Sequence, residues 1–532
     1  MRRWNGWGED TVAMDLPTAA AALLATLIGP GQQLADASLA QVLATVPPSR
    51  LPEHALVSAR AEDRVRHARG QSLADWLAMR SGDFGVFPDG VAWPETAAQI
   101  RELLAWATAH DVVVIPYGGG TSVVGHITPQ ADVRPVLTLS LEHMNQLVEL
   151  DAASLLATFG PGANGPQVES QLRAHGFTLG HFPQSWELST LGGWVAARSS
   201  GQQSLRYGRI EQLFAGGTLE TFAGPLVIPA FPASAAGPDL RELVLGSEGR
   251  FGIISQVKVR ITRLPEQEAF YAVFLPDWKR AMTAVRELVQ ARIPLSMLRL
   301  SNAVETQTQL LLAGKPGSIA WLEKYLAWRG AADGKCMLTF GITGNRQQNA
   351  ASLRQVKARL RRFGGVFTGT LLGRKWAEHR FRFPYLRDSL WRAGYAVDTL
   401  ETATDWSNVD DLLRQVETSL HAALAASGER VHVFTHLSHA YGEGCSLYTT
   451  YVFRPGASYA EALARWRQLK QAASHAIVTH RGTISHQHGV GRDHAAWLGV
   501  EKGELGMATL RALSAHFDPE RRLAPGVLIE RP

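Results

Sequence analysis

The sequence predicts an α+β chain, and three observations carry that reading. At 532 residues it exceeds one ordinary hydrophobic core, so more than one packed unit is expected. An apolar fraction of 45% against 19% charged residues is the profile of a packed globular enzyme and excludes a disordered chain. Strand-like and amphipathic helical runs alternate along most of the length.

Residues 16–80 read as helical through AAAALLATLIG, DASLAQVLATV and SLADWLAMRSG, giving an N-terminal helical segment over 1–84. A new pattern starts near Val86. It reads as a strand, a Pro94-Glu95-Thr96 entry into an amphipathic helix, a short apolar strand at 112–115 and a glycine loop. PVLTLSLEHM and ASLLATFGPGA follow as turn-bounded strands, GPQVESQLRAHG as a helix, and the alternation of QVKVRIT as a closing strand. These bound a unit over 85–265. From Glu266 the texture changes, and YAVFLPDW, a helix around 280–291 and SMLRLSN open a second α+β unit reaching residue 495. Within it VHVFTHLSHA and CSLYTTYVF are expected as neighbouring strands whose alternating side chains face a cavity. The tail, 496–532, closes on a Pro-Gly turn.

Composition narrows the function classes. Lys and Arg exceed Asp and Glu by 53 to 48, thinly spread and without interleaved aromatics, which excludes a nucleic-acid groove. A mildly basic surface suits anionic substrates or peripheral contact with a membrane face. Two cysteines, Cys336 and Cys445, cannot build a disulfide framework or a cysteine-only zinc site; a single bridge stays open beside reduced thiols. MRRWNGWGED lacks the apolar stretch of a signal peptide, 19–28 reads as a packed helix, and no other run is long enough to span a bilayer. The terminal Ile-Glu-Arg-Pro is not a peroxisomal address. A cytoplasmic protein, peripheral to a membrane at most, is expected.

The chemistry begins at Pro116-Tyr117-Gly118-Gly119-Gly120-Thr121-Ser122. Successive glycines let backbone N–H groups converge on an anion, and the two hydroxyls add donors. Alone, such a run is more often a plain turn than a phosphate site. Gly160-Pro161-Gly162-Ala163-Asn164-Gly165 matches G-x-G-x-x-G in form, but Pro161 and the short strand before it suit a structural turn better than a dinucleotide site.

Company decides between these readings. Gly180 through Trp194 (GHFPQSWELSTLGGW) is followed by Ala197-Arg198-Ser199-Ser200-Gly201, Tyr207-Gly208 and Gly246-Ser247-Glu248-Gly249-Arg250-Phe251-Gly252-Ile253-Ile254. In this order and spacing the region 85–265 resembles the FAD-binding domain of the vanillyl-alcohol oxidase and p-cresol methylhydroxylase (PCMH) superfamily. The resemblance implies a two-subdomain PCMH-type FAD-binding domain followed by an α+β cap, or substrate, domain. It assigns cofactor contacts to Pro116, Tyr117, Gly118, Gly119, Gly120, Thr121 and Ser122; to Gln184, Ser185, Ser189, Thr190, Gly192 and Gly193; to Ala197, Arg198, Ser199 and Ser200; and to Glu248, Gly249, Gly252, Ile253 and Ile254. Covalent members carry a His beside the glycine loop; Thr121 and Ser122 stand there here, so non-covalent FAD is expected.

Within the superfamily, the alkyldihydroxyacetonephosphate synthases resemble the chain nearly end to end. The resemblance rests on Arg3-Trp4-Asn5-Gly6-Trp7-Gly8, Arg299-Leu300, Pro384-Tyr385-Leu386-Arg387-Asp388, Gly444-Cys445-Ser446-Leu447-Tyr448 and Ser485-His486-Gln487-His488-Gly489. It implies exchange of the acyl group of a dihydroxyacetone phosphate ester for a fatty alcohol through a flavin N5 adduct, without net oxidation. By motif, Tyr448 is the proton donor and acceptor, which requires neighbours that lower a phenol's pKa from about 10. Arg387 is the substrate-phosphate ligand, and His181, Arg299, His486 and His488 orient substrate and stabilise charge. A homodimer is implied as well.

Other readings remain open. Gln487 stands where the synthases have a third histidine, and an amide cannot carry a proton as imidazole does. The tail FDPERRLAPGVL leans toward FAD-linked D-2-hydroxy-acid dehydrogenases or oxidases, in which the same arginines would bind a carboxylate. Tyr448 in a strand and Arg387 in PYLRD also have ordinary core and ion-pair readings, and His181 that of a turn residue. His436, His439, His486 and His488 invite a metal reading, with His486 and His488 on one side of a strand. The absence of H-E-x-x-H argues for no metal.

Overall fold

A computed structural model describes residues 1–313 and 316–530. Arg531 and Pro532, the end of the expected tail and of its Ile-Glu-Arg-Pro terminus, lie outside the described residues.

Three larger sheets organise the chain. In the first, strands run in the order Val57–Ser58, Gly90–Ala92, Val136–Ser140, Val113–Tyr117. Val113–Tyr117 and Val136–Ser140 pair in parallel and are buried on both faces, which is why the first reads as an apolar run and the second carries only small hydroxyl residues, Thr138 and Ser140, beside its apolar ones. The helix Ala97–Ala109 supplies the crossover that parallel strands need, and the Thr96 side chain caps its start by accepting from the Gln99 N–H. Val57–Ser58 is a difference from the expected helical segment 1–84. Between the helices Leu39–Leu43 and Ala61–Arg66 the chain supplies an edge strand to Gly90–Ala92.

The second sheet is antiparallel, in the order Leu147–Asp151, Leu156–Phe159, Ile253–Arg260, Phe214–Thr221, Gly224–Ile228. Gly160 to Gly165 make a packed corner beside it. A methyl group at Gly160 or Gly162 would collide with the carbonyls of Met144 or Leu141, and Asn164 caps the helix Gly165–Arg173. The glycines there serve close chain packing. The tail strengthens both sheets: the Val114 N–H donates to the Arg522 carbonyl, and Arg250 ion-pairs with buried Asp518 at 2.8 Å.

The third sheet has seven antiparallel strands, ordered Val366–Phe367, Gln267–Leu275, Cys336–Gly344, Met297–Ser301, His432–Ala440, Gly444–Phe453, Ala396–Asp405. His432–Ala440 and Gly444–Phe453 are neighbours, as expected from their alternation. One face packs on amphipathic helices such as Trp278–Gln290, whose Ala281, Ala284, Val285 and Leu288 are fully buried against Val273, Leu338 and Phe340. On the other face, register sets Glu401 opposite Tyr448 and Tyr448 opposite His436. One step along, Thr399, Thr450 and Phe434 form a second row. Cross-strand partners share a face, so a hairpin and the earlier strand Ala396–Asp405 present one surface. Among the described residues, no helix is long and apolar enough to cross a membrane.

Candidate functional site

A cavity of about 440 Å³ is lined by both the glycine loops and the polar face of the seven-stranded sheet. Its first wall is largely main chain. Pro116 to Ser122 line it with Gln184, Ser185, Ser189, Thr190, Gly192, Gly193, Ala197, Ser199, Glu248, Gly249, Gly252 and Ile254. Gly120 is left-handed (φ +66°), and a methyl at Gly119 would collide with the Leu188 carbonyl, so only glycine lets this turn close. Among the described residues, none accepts from the backbone N–H groups of residues 118–123. Six adjacent unclaimed donors on a cavity wall fit a diphosphate. Arg2 holds the loop from behind, donating to the Gly119 carbonyl at 2.6 Å.

Glu248 buttresses this wall. It adopts φ +55°, a strained value for a non-glycine residue, and its carboxylate accepts from the Val490 and Gly491 N–H groups at 2.6 and 2.7 Å. His126, absent from the residues singled out by sequence, lies between Ser122 Oγ (2.8 Å) and Glu248 (2.9 Å). Four expected contacts stand elsewhere. The Arg198 side chain turns outward to Glu242 (2.8 Å) and Glu211. Ile253 faces the core with Leu523, because alternation along its strand sends Ile254 to the cavity and Ile253 away. Ser200 gives its N–H to Gln487 Oε1 at 3.2 Å. His181 lies behind Ser199, with Nε2 3.2 Å from Ser199 Oγ and its ring against Trp194. Burial first, then the charge of Arg209, takes its pKa down to about 3, so it is a neutral packed imidazole.

The second wall is side chain. Arg299, Arg387, Tyr448 and His488 line it, joined by Glu305 and Asp398, which motif reading missed, by His436, singled out there only as a metal ligand, and by Gln487, noted there as a departure from the family pattern. Arg387 donates one N–H to the Gln71 carbonyl at 2.6 Å and lies over the Trp76 ring. Its Nε and second terminal nitrogen are buried without a partner. Burial lowers its pKa, opposed by Asp398 and Asp388, yet guanidinium stays charged in proteins. An unsatisfied buried fork is unfavourable unless an anion completes it.

Arg299 donates to Glu305 (2.6 Å) and contacts His436 Nδ1 (3.2 Å). Burial opposes the charge on Glu305, but His436 and Arg299 outweigh it and hold its carboxyl at about 2. Tyr448 stacks on His436 with centroids 4.8 Å apart, meets His488 edge-on and donates to Thr399 Oγ1 at 3.2 Å. The expectation of a lowered phenol pKa is corrected. Loss of hydration raises it, and Arg299 offsets this only in part. His488 moves down, chiefly through burial. The wall therefore holds a protonated phenol beside neutral imidazole.

His486 is not on the wall, and it lies in a loop after the helix Tyr459–Thr479, not on a strand. Arg209 and Tyr441 both reach its Nε2 at 2.6 Å, and Nδ1 lies 3.2 Å from Glu401. Burial lowers its pKa to about 4. Glu401, His439 and His486 are close enough together to suggest a cation site. The donors argue otherwise: Arg209 can only donate, so Nε2 must accept and the single ring proton occupies Nδ1, the atom a metal would need. The two thiols, Cys336 and Cys445, are free and buried.

Comparison with known proteins agrees with this geometry. Residues 88–226 match the FAD binding domain family and residues 264–528 the FAD linked oxidases, C-terminal domain family. The chain is 30% identical to an alkyldihydroxyacetonephosphate synthase of Trypanosoma brucei brucei over 88% of this chain and 78% of that protein. A solved alkyldihydroxyacetonephosphate synthase superposes with a TM-score of 0.84 at 24% identity, covering 98% of both chains. A solved p-cresol methylhydroxylase shares the fold with a TM-score of 0.68 at 13% identity, over 89% of this chain and 94% of that one. With the unclaimed amides, the orphaned arginine and these relatives together, the chain belongs to the alkyldihydroxyacetonephosphate synthase family of FAD-dependent enzymes.

Proposed function

We propose that the protein exchanges the acyl group of an acyl-dihydroxyacetone phosphate for a fatty alcohol, forming the ether bond of an ether lipid. The C1–O bond to the acyl group breaks and the fatty acid leaves as carboxylate. The alcohol oxygen bonds to C1 and gives up its proton, with no net change in oxidation state. Bound FAD supplies an electron sink for the carbon that loses and regains its substituent. In this reading the unit 85–265 holds FAD non-covalently and the unit 266–495 holds the substrate. The 1–84 segment and the 496–532 tail brace the two.

The observation that carries the proposal is Arg387, whose two unpartnered nitrogens border the same cavity as Tyr448, His488 and the glycine loop. A phosphate oxygen would satisfy both nitrogens in the bidentate manner guanidinium favours. That anchor sets the substrate's reacting carbon toward Tyr448. The raised phenol pKa suits Tyr448 to give a proton, and the lowered pKa of His488 leaves an imidazole free to take one. Arg299, held by Glu305 and His436, stabilises developing negative charge. Peripheral membrane contact is assigned to the exposed Trp321 and Trp328 on the helix Pro316–Trp328, since interfacial tryptophans suit a lipid headgroup layer.

The test offers purified flavin-loaded protein palmitoyl-dihydroxyacetone phosphate with deuterated hexadecanol, and follows products by mass spectrometry. Deuterated ether phosphate with one equivalent of palmitate is expected. No exchange, together with bleaching of the flavin by lactate, glycolate or 2-hydroxyglutarate, would overturn the reading in favour of a hydroxy-acid dehydrogenase.

A further inference from the structure

We infer that Glu401 is a positioning residue: its buried carboxylate clamps the His486-Gln487-His488 loop to the cap sheet and so aims His488 at Tyr448. The inference rests on the proposed reading of the cavity as the reaction site, and it deepens that reading.

Glu401 lies in the strand Ala396–Asp405 with its side chain closed to solvent. Five groups surround its two oxygens. On Oε1 converge the Ser438 hydroxyl, His486 Nδ1 at 3.2 Å and His439 Nδ1 at 3.4 Å. On Oε2 converge the Gln487 amide nitrogen and, at 3.9 Å, His488 Nε2. Ser438 and His439 come from the strand His432–Ala440, next but one in the sheet across Gly444–Phe453; the other three come from one loop. Such crowding makes sense only around an ionised acceptor; burial opposes that charge, but the adjacent His486 and His439 rings hold the carboxyl well below its usual range.

Two of the three loop residues are tied down a second time. The Nε2 of His486 accepts from Arg209 and Tyr441, and the Gln487 carbonyl accepts from the Ser200 N–H, which belongs to the segment lining the flavin wall. The loop thus bridges the two walls, and Glu401 is where it is fastened on the substrate side. Of its three residues, His486 lies off the cavity, so its part is also positional. Gln487 does with one amide what an imidazole with one protonated and one bare nitrogen would do, donating to Glu401 and accepting from Ser200. The departure from three histidines is therefore compatible with an intact site.

Replacing the carboxylate by an amide tests this directly, because one oxygen becomes a donor facing donors and must expel a neighbour. In the holoprotein, reaction of individual histidines with diethyl pyrocarbonate, read by peptide mass spectrometry, reports how tightly each ring is held and needs no substrate. Glu401→Gln is expected to speed labelling of His486 and His488 at least tenfold, with flavin stoichiometry unchanged and Glu401→Asp restoring part of the protection. Turnover should fall at least tenfold with KM for the phosphate ester little altered. Labelling rates within twofold of the parent protein would overturn the inference, and so would loss of flavin, which would mark Glu401 as a general support of the fold. Should Glu401→Gln not fold, Gln487→Leu takes its place: faster His488 labelling supports the clamp and unchanged labelling overturns it. A protein that labels as expected yet forms no ether bond defeats the functional proposal alone.

Discussion

The two walls of the cavity are built on opposite principles. The flavin wall uses backbone: residues 118–123 offer N–H groups that need no side chain, and glycine is chosen for what it lacks. The substrate wall uses charged and titratable side chains drawn from three neighbouring strands and one loop. A wall of amides binds without changing protonation and tolerates changes of side chain that leave its path alone. A wall of buried charges does chemistry, and each group depends on its neighbours for its charge state. Substitutions on the second should therefore cost turnover, and those on the first should cost cofactor.

The sharpest test of that division is Tyr448→Phe. Removing the only hydroxyl that the phenol contributes should lower kcat by roughly a thousandfold, the usual scale for a lost general acid, while the flavin spectrum and KM stay near those of the parent. Equal loss of flavin would break the comparison. Arg387→Met comes next. It removes a charged partner worth about 3 kcal/mol, so kcat/KM for the phosphate ester should drop by about a hundredfold, mainly through KM. A neutral, phosphate-free ester should lose far less.

On the flavin wall, Gly119→Ala pushes a methyl into the Leu188 carbonyl. Overpacking of this kind costs about 1–3 kcal/mol, so FAD affinity measured by fluorescence should fall roughly tenfold, with kcat of the fully loaded enzyme unchanged. Acid should separate the walls too. His181 and His486 have folded pKa values lowered by burial to about 3 and about 4, so between those values and about 6.5 the unfolded chain binds more protons. Stability therefore falls as pH drops through that window. Glu305, depressed to about 2, contributes stability above about 4.5 that is lost as pH falls toward 2. His181→Gln should flatten the curve between about pH 6.5 and about 3 in denaturant titrations of the holoprotein.

The same contrast explains what could be read without coordinates. The flavin wall is nearly contiguous, so Pro116 to Ser122 and the Gly180–Trp194 stretch announce themselves as motifs. Within it the errors are of orientation: Arg198 and Ile253 sit one step from true wall positions and face away. The substrate wall is assembled by sheet register. Nothing in AVDTLETATD marks Glu401, because its importance arises from lying across from Tyr448, and register is invisible until strands are paired. Motif places His486 at the site, but a motif does not give side-chain direction, and the ring turns from the cavity to Arg209 and Tyr441; His126 escapes notice because it follows the glycine loop without belonging to any motif.

The smallest expected effect concerns the residue that departs most from the family pattern. Gln487 donates to Glu401 and accepts from the Ser200 N–H, and neither contact requires it to carry a proton. A histidine there would keep both contacts if its protonated nitrogen faced the carboxylate. Gln487→His should then leave turnover within about threefold and FAD content unchanged, since two hydrogen bonds are exchanged for two of similar strength. Gain of activity from an inert parent would show instead that position 487 moves protons, and the substrate wall would then hold three acid–base groups in place of two. The bridge between the walls would in that case be part of the chemistry, and the separation of cofactor binding from catalysis would fail where Ser200 meets residue 487.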